Sequence, residues 1–499
     1  MAGITDLPKE VLVDIGNLLD RHTLITSLLT CRYFHQSLFH LLLRTTRVKE
    51  GKPQVSVNEL TRYAHNVHHF EIHGVVPWDY YKIAFPCLRT MAIHRNTAAQ
   101  TVQDNVLMEE QDRHCIILFR LNPTVQDLEL YSIGNAPCAN FWEAIFTSFR
   151  RPRRLDVNRI WELHGHRLNW FWQACSRFEE LNFTEFSGDS PSILSELNFE
   201  SIKRVSMNWQ KSYGRPCIEY DGQLEILQKF SNLTRMHWTT HGGAFPREAF
   251  LRALEDSAWP RLEDLGFTGM MGKDTRNRGI IDKLPPLRRV QFDIKQFGES
   301  CWSSFKPKQR NSLRALDLRG CYSFKKCWAL DVFSHFGQLE EFSICSIEVA
   351  DVKLYPHALS SFGLKRLDAF FINDTKDTDG DHAVFEMLSN FDMLESIYVR
   401  DEEHQVFSLE EAKTFKHPHT LRWRLDVGLG KLWKLKNLRR LVLDNRFQDM
   451  RVEDLEWMLE QWPLLSELTG WLSEDPLVRA KLAGLLRARG VLNRDFDGI

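Results

Sequence analysis

The sequence of 499 residues lacks the features that would indicate a membrane, secretion or nucleic acid. No stretch approaches the roughly 18 apolar residues of a membrane span. The N-terminus lacks the basic and uninterrupted apolar regions of a secretory signal. The formal net charge is −2, so no excess of basic residues would attract nucleic acid. We therefore expect a cytoplasmic or nuclear protein without a membrane or nucleic-acid partner.

The ten cysteines include no C-x-x-C pair. Spacing of that kind is typical of zinc and redox sites, so its absence favours reduced thiols. Four histidines also lie close together, at His65, His68, His69 and His73. Strand alternation would place His69 and His73 on one face and His68 on the other, so a structural role is favoured over metal binding. We expect no cofactor and no bound metal.

Two other motifs fail on inspection. The segment from Thr375 to Glu386 fits most of a calcium-binding EF-hand loop, but threonine occupies the first position, where aspartate belongs. The run Gly428-Leu429-Gly430-Lys431 lacks the serine or threonine that follows the lysine of a phosphate-binding loop. No nucleophile–base pair or pair of carboxylates is evident. We therefore predict that the protein is not an enzyme.

One short pattern recurs along the chain: an apolar residue, two variable positions, an apolar residue, one variable position and a further apolar residue. The clear copies begin at Val67, Leu88, Val125, Phe178, Ile202, Leu233, Leu262, Leu287, Leu313, Leu339, Leu394 and Leu438, and the weaker ones at Leu155, Leu364 and Leu465. The mean period is about 28 residues, within the range of about 20–29 residues that leucine-rich repeats show.

The spacing of the pattern predicts a strand, because its last two apolar positions point to the same side. Helical segments precede many copies, namely Phe141–Phe149, Asn169–Ser176, Glu248–Ser257, Val384–Asn390 and Leu455–Gln461. One strand and one helix cannot bury their apolar faces alone, so such units stack. We predict an α/β leucine-rich-repeat solenoid of the irregular, ribonuclease-inhibitor-like class, because the usual asparagine after the strand is mostly missing.

Residues 5–44 carry no repeat and read as three short helices. In the first helix, apolar residues fall at helical spacing between Val11 and Leu19. A unit of about 40 residues is too small to bury all of its apolar groups, which implies a partner.

This segment resembles an F-box between Leu7 and Phe34. The matching positions are Leu7, Pro8, Glu10, Ile15, Leu19, Leu24, Cys31, Arg32 and Phe34, whereas Thr30, Phe34 in place of tryptophan, and His22 depart from the usual pattern. Together with irregular repeats, the segment is similar to eukaryotic F-box/leucine-rich-repeat proteins, especially fungal ones. The resemblance implies a non-catalytic substrate receptor of a Skp–cullin–F-box ubiquitin ligase.

The resemblance assigns roles to both parts of the chain. The F-box would bind a Skp-type adaptor, and through it a cullin, while the repeats hold an unknown protein substrate. By position, the adaptor-facing residues would be Leu7, Pro8, Val11, Leu12, Ile15, Leu24 and Leu28. The alternative is a stand-alone repeat scaffold or regulator, in which the N-terminal helices only cap the solenoid.

Four segments follow. We predict an F-box-like helical motif at 1–50, a short packed linker at 51–66, the solenoid at 67–472 and a C-terminal capping helix at 473–499, which starts near Pro476 and stops at Gly490. The 44 residues between Leu394 and Leu438 exceed one period and contain a capping box at Ser408–Glu411.

The residue between the last two apolar positions of each repeat, and the one after them, should line the inner face of the sheet. These residues are Glu129, Tyr131, Asp156, Asn158, Asn182, His237, Gln291, Asp293, Asp317, Arg319, Asp368, Tyr398 and Asp444. Tyrosine and arginine are enriched at binding hot spots. We therefore expect Tyr131, Arg319 and Tyr398 to contact the substrate.

Overall fold

The structure is a computed structural model that describes residues 7–52, 55–95, 102–135, 137–188, 196–209, 220–240, 245–270, 272–321, 323–325, 327–354, 363–372, 378–399, 421–443 and 448–493. The chain forms two compact units. The N-terminal unit comprises Met1–His241 and Asp256–Arg261, and the C-terminal unit comprises Gly242–Glu255 and Leu262–Ile499.

The chain begins with three helices, α1 (Lys9–Leu18), α2 (Arg21–Thr30) and α3 (Arg32–Leu43), which we call the helical motif. An N-cap residue precedes each helix. Pro8 is the N-cap of α1, the Asp20 carboxylate accepts a hydrogen bond from the Thr23 amide at the start of α2, and the Cys31 thiol accepts one from the Phe34 amide at the start of α3. Such caps satisfy amide groups that the first helical turn leaves without partners.

The helical motif has its own apolar core. Four buried leucines form it: Leu12, Leu24, Leu28 and Leu38. Gly16 allows α1 to approach α3 closely, because a Cβ at this position would lie 2.6 Å from Leu41 Cδ1 and 2.9 Å from Leu38 Cδ2. Burial of each leucine contributes about 1.5–3 kcal/mol, so the motif folds around these contacts.

The parallel sheet begins directly after the motif, at β1 (Thr45–Lys49), which pairs with β2 (His69–His73). The predicted linker at 51–66 contains helix α4 (Val57–Arg62), whose Leu60 is buried. The sheet thus starts about 20 residues before the predicted boundary at Val67. Leu43, Thr46 and Val48 are all buried and carry the repeat spacing, with threonine in the middle position. The Thr46 hydroxyl donates to the Leu43 carbonyl at 2.8 Å, which satisfies it inside the core.

The rest of the N-terminal unit alternates strands with helices. In chain order these are β3 (Thr90–His94), α5 (Val102–Leu121), β4 (Asp127–Tyr131), β5 (Gly134–Asn135), α6 (Ala139–Ser148), β6 (Arg154–Leu163), α7 (Gly165–Cys175), β7 (Glu180–Gly188), β8 (Arg204–Trp209), α8 (Tyr220–Gln228) and β9 (Arg235–Thr240), with a 3₁₀ helix at Trp78–Lys82. The strands pair in parallel, in chain order, except that the short β5 continues the row of β4 and both pair with β6.

The C-terminal unit repeats the arrangement. Its elements are α9 (Arg247–Glu255), β10 (Asp264–Met270), α10 (Asp274–Ile281), β11 (Arg289–Ile294), α11 (Glu299–Gln309), β12 (Ala315–Asp317), α12 (Trp328–His335), β13 (Glu341–Glu348), α13 (Val349–Leu354), β14 (Arg366–Ile372), α14 (Thr378–Leu388), β15 (Ser396–Tyr398), β16 (Arg440–Val442), α15 (Val452–Gln461), β17 (Glu467–Thr469) and α16 (Pro476–Ala488). Two 3₁₀ helices, Leu425–Val427 and Leu429–Lys434, precede β16. These strands also pair in parallel with their chain neighbours.

Each of the fifteen predicted triplets contributes to a strand, and its apolar residues are buried. The predicted α/β leucine-rich-repeat fold is therefore confirmed. The repeats are irregular in strand length, which ranges from the two residues of β5 to the ten of β6. The capping box at Ser408–Glu411 lies outside the described residues.

Buried amide side chains connect one repeat to the next. The Asn122 side chain, after α5, accepts a hydrogen bond from the Phe85 amide at 2.7 Å and donates to the Ile83 carbonyl at 3.1 Å. Gln309, at the end of α11, accepts from the Leu287 amide at 2.7 Å and donates to the Pro285 carbonyl at 2.9 Å. Both side chains are fully buried, so each replaces the water that the loop backbone would otherwise need.

Candidate functional site

The helical motif exposes a stripe of large apolar side chains. On α1 these are Val11, Ile15 and Leu18, which are spaced by four and three residues and so lie on one side of the helix. On α2 they are Ile25 and Leu29. Leu18 and Leu29 are 87% and 81% exposed, although contact between a leucine side chain and water is unfavourable. We call these five residues the apolar stripe.

The structure places part of the predicted adaptor-facing set inside the helical motif. Leu12, Leu24 and Leu28 are buried in its core. The three helices bury more than their size suggested, because α3 packs on both α1 and α2 and continues into the sheet. Helical spacing identified the apolar positions but not which of them face α3.

The other predicted positions remain accessible. Val11 and Ile15 belong to the apolar stripe, and Pro8 is exposed at the start of α1. Leu7 is half-buried, and its carbonyl accepts a hydrogen bond from the Tyr33 hydroxyl at 2.8 Å, which ties the chain before α1 to α3. Leu18, Ile25 and Leu29 were missed, although their spacing from Val11 and from each other could have identified them.

Polar residues form matched rows on one face of each sheet. In the N-terminal unit one row runs through Glu129, Asp156, Asn182, Ser206 and His237 on consecutive strands. In the C-terminal unit the corresponding row is Gln291, Asp317, Ser343, Asp368 and Tyr398. Asp444 lies outside the described residues. The strands thus place the predicted residues side by side, in register; we call each such surface the polar face of its unit.

Tyr131 lies at the end of β4 with its partners on the same face. Its hydroxyl donates to Glu129 Oε2 at 3.0 Å, and its ring stacks on His94 with centroids 4.3 Å apart. Burial and the hydrogen bond to Glu129 raise the pKa of Tyr131 to about 12. The phenol therefore stays protonated and can act as a rigid hydrogen-bonding surface.

Arg319 and Tyr398, the other two expected anchors, lie in the C-terminal unit and are engaged within the chain. The Arg319 guanidinium contacts both carboxylate oxygens of Asp317 and lies 3.5 Å from Asp368 Oδ2. The Tyr398 hydroxyl accepts a hydrogen bond from Arg440 at 2.8 Å, and the Arg366 guanidinium lies over its ring at 4.7 Å. A ligand at these positions would meet an ordered network of charges.

Residues in and beside the two rejected motifs make structural contacts in the described part of the chain. Thr375 and Asp377 lie outside the described residues. Asp381 is buried in α14 beside Arg422, at 2.8 Å, and Glu386 contacts Lys431 at 2.5 Å, so these acids pair with basic side chains. Gly428 adopts a left-handed conformation, with φ of 105°, between the two 3₁₀ helices.

Histidines gather at the start of the N-terminal sheet. His69 and His73 share a face, as strand alternation predicted, with Glu71 between them. The next strand brings His94 beside His73, with ring centroids 4.0 Å apart. Sequence inspection missed His94 because it belongs to another repeat, 21 residues further along. Among the described residues, Glu71, His73 and His94 bring their ligand atoms within 4.8 Å of one another.

Among the helices that the structure describes, none is long and apolar enough to cross a lipid bilayer.

The sequence matches no protein-family model and no curated protein. Two solved structures resemble the chain at 12% sequence identity. One is the leucine-rich-repeat protein LIC12759 of Leptospira interrogans, with a TM-score of 0.34, covering 89% of this chain and 93% of that one. The other is the complex of Rad7 and Elc1 from yeast, with a TM-score of 0.42, covering 99% of this chain and 98% of that one.

Proposed function

We propose that the protein is a non-catalytic substrate receptor of a Skp–cullin–F-box ubiquitin ligase, and that the apolar stripe binds the Skp-type adaptor. The observation that carries the proposal is the exposure of Leu18 and Leu29 on a motif whose own core is complete. Large exposed apolar side chains mark interaction sites when they lie together. The F-box resemblance of Leu7–Phe34 names the class of partner.

The polar faces suit the second half of this function. Repeat proteins commonly hold partners on an extended surface formed by neighbouring strands. Here many of the side chains on that surface are polar, charged or aromatic, and Tyr131, Arg319 and Tyr398 are among them. We infer that a protein substrate binds to these residues, through hydrogen bonds and charges more than through apolar burial.

Binding of the purified full chain to a recombinant Skp-type adaptor, measured by biolayer interferometry, tests the first half. The double variant Leu18→Asp/Leu29→Asp should bind at least tenfold more weakly, because two charges would enter an apolar interface. Its melting temperature should be unchanged, since both side chains are exposed. Leu477→Asp is the matched control: Leu477 is 75% exposed on α16, outside the motif.

Two results would refute adaptor binding. One is the absence of binding by the unaltered chain, and the other is equal binding by the double variant. Either would favour the alternative function, a stand-alone repeat scaffold whose helical motif caps the sheet. The continuity of α3 with β1 through the buried Leu43 and Thr46 is the observation on which that alternative rests.

A further inference from the structure

Three side chains with metal-binding chemistry converge on the polar face of the N-terminal unit. Glu71 and His73 are two residues apart on β2, so their side chains lie on one side of the sheet. His94 is the register partner of His73 on β3. Glu71 Oε1 lies 2.5 Å from His73 Nε2 and 3.1 Å from His94 Nε2.

The neighbours of Glu71 orient its carboxylate. On the β1 side, Arg47 Nε donates to Oε2 at 2.6 Å, which leaves Oε1 directed at the two imidazoles. On the β3 side, the register partner of Glu71 is Ala92, whose methyl group leaves space for the histidine rings. Hydrogen bonds to the far atom of a ligand are the usual way in which proteins orient metal-binding side chains.

The Nε2 atom of His94 is buried and lies 3.1 Å from Glu71 Oε1, although the pair does not have the geometry of a hydrogen bond. Burial and the neighbouring His73 lower the pKa of His94 below its usual value. The ring lies between those of His73 and Tyr131, which stack on its two faces. Imidazole is the commonest side-chain ligand of metal ions.

We propose that Glu71 Oε1, His73 Nε2 and His94 Nε2 bind one divalent transition-metal ion of the zinc class. Two imidazoles and a carboxylate are a known zinc ligand set, which leaves a fourth position open for water or for a group on a bound partner. Ligand atoms about 2.1 Å from a tetrahedral zinc lie about 3.4 Å apart, and Glu71 Oε1 now lies 2.5 and 3.1 Å from the two imidazole nitrogens. The two stacked rings, now 9° from parallel, must tilt so that their in-plane lone pairs meet at the ion.

The test uses the full chain, stripped with a chelator and titrated with Zn²⁺ in a calorimeter, and with Co²⁺ in a visible spectrometer. We expect one ion per chain and the absorption of four- or five-coordinate Co²⁺. His73→Gln and His94→Gln should each weaken Zn²⁺ binding at least tenfold. His65→Gln is the control, because His65 is an exposed histidine of the same unit whose ring contacts Asn66.

Absence of one-to-one binding and of a Co²⁺ spectrum in the unaltered chain would overturn the proposal. Equal affinity in the His73→Gln/His94→Gln double variant would do the same. The spectrum of the unaltered chain decides the question even if the variants fold poorly. None of these results depends on whether the chain binds an adaptor.

Discussion

At the scale of single residues, Arg95 and Asp112 form a buried ion pair. Both side chains are buried, and Asp112 Oδ2 also accepts a hydrogen bond from the Cys138 amide at 2.9 Å. The Arg95 guanidinium lies over the ring of Phe141 at 5.3 Å. Such a pair contributes little net stability when complete, but removal of one partner leaves a buried charge.

We therefore expect Arg95→Ala to lower the free energy of unfolding by about 3–5 kcal/mol, measured by urea denaturation. The double variant Arg95→Met/Asp112→Leu should recover most of this loss, because it removes both charges and keeps the volume. A double variant as unstable as Arg95→Ala would show that packing, and not the unpaired charge, dominates.

The buried amide of Asn122 allows a second residue-scale prediction. Asn122→Leu keeps the volume but leaves the Phe85 amide and the Ile83 carbonyl without partners. Each orphaned group costs about 1–3 kcal/mol, so the two groups together should cost about 2–6 kcal/mol in chemical denaturation. Asn58→Leu, on the exposed surface of α4, is the control and should change stability by less than about 0.5 kcal/mol.

Sequence patterns predict the apolar core residues but not the buried polar ones. The apolar core positions follow from spacing, because each repeat offers the same two inward places. Asn122 and Gln309 do not, since their partners are backbone groups of the preceding repeat, 22 to 39 residues away. His94 escaped notice for the same reason, because it lies 21 residues after His73.

At the scale of elements, the packing of α1 on α3 depends on the missing side chain of Gly16. Gly16→Ala should destabilise the helical motif by about 1–3 kcal/mol through overpacking against Leu38 and Leu41, although alanine favours helices. Faster hydrogen exchange of the α1 amides would report this. In contrast, Gly484→Ala on α16 meets no atom within 4 Å and should stabilise that helix by up to about 1 kcal/mol. Equal effects of the two changes would refute the role of close approach.

The strands were the most predictable elements, because burial of the apolar triplet and strand geometry impose the same spacing. β1 was missed because Thr46 occupies a place where an apolar residue is usual. A threonine there is tolerated only because its hydroxyl finds the Leu43 carbonyl, which is a contact that no spacing rule contains. Helix α4 was missed because six residues with one buried leucine give too short a pattern to recognise.

The terminal helix α16 gives a further prediction for an element. Leu482 and Leu486 are fully buried, and after the helix the Leu492 carbonyl accepts a hydrogen bond from the Leu468 amide of β17 at 2.9 Å. Truncation after Ser473 should therefore cost about 3–6 kcal/mol from the two leucines alone and expose the edge of β17. A lower melting temperature and a greater tendency to aggregate in light scattering are expected. An unchanged melting temperature would contradict this.

At the scale of the whole molecule, the nine described cysteines are free thiols of very different accessibility. Cys87 and Cys327 are exposed, whereas Cys115, Cys175, Cys301 and Cys321 are buried. Burial raises the pKa of Cys115 to about 12 and also raises that of the other three. In the folded chain, a thiol reagent at pH 8 should modify the two exposed cysteines at least tenfold faster than the four buried ones. Mass spectrometry of peptides measures the rate at each cysteine. Comparable rates for both groups would mean that the repeats open readily.

The parallel register of the N-terminal sheet has a consequence for the length of what it can hold. Eight neighbouring strand positions run from β1 to β9, because β5 continues β4. They are spaced by about 4.8 Å, so the polar face extends about 34 Å along the sheet. An extended peptide of about ten residues covers the same distance. If the polar face binds such a peptide, as we propose, each stretch of the peptide would contact a different repeat. A change in one repeat would then alter the affinity for one stretch and leave the others intact, so that specificity could evolve one stretch of the ligand at a time.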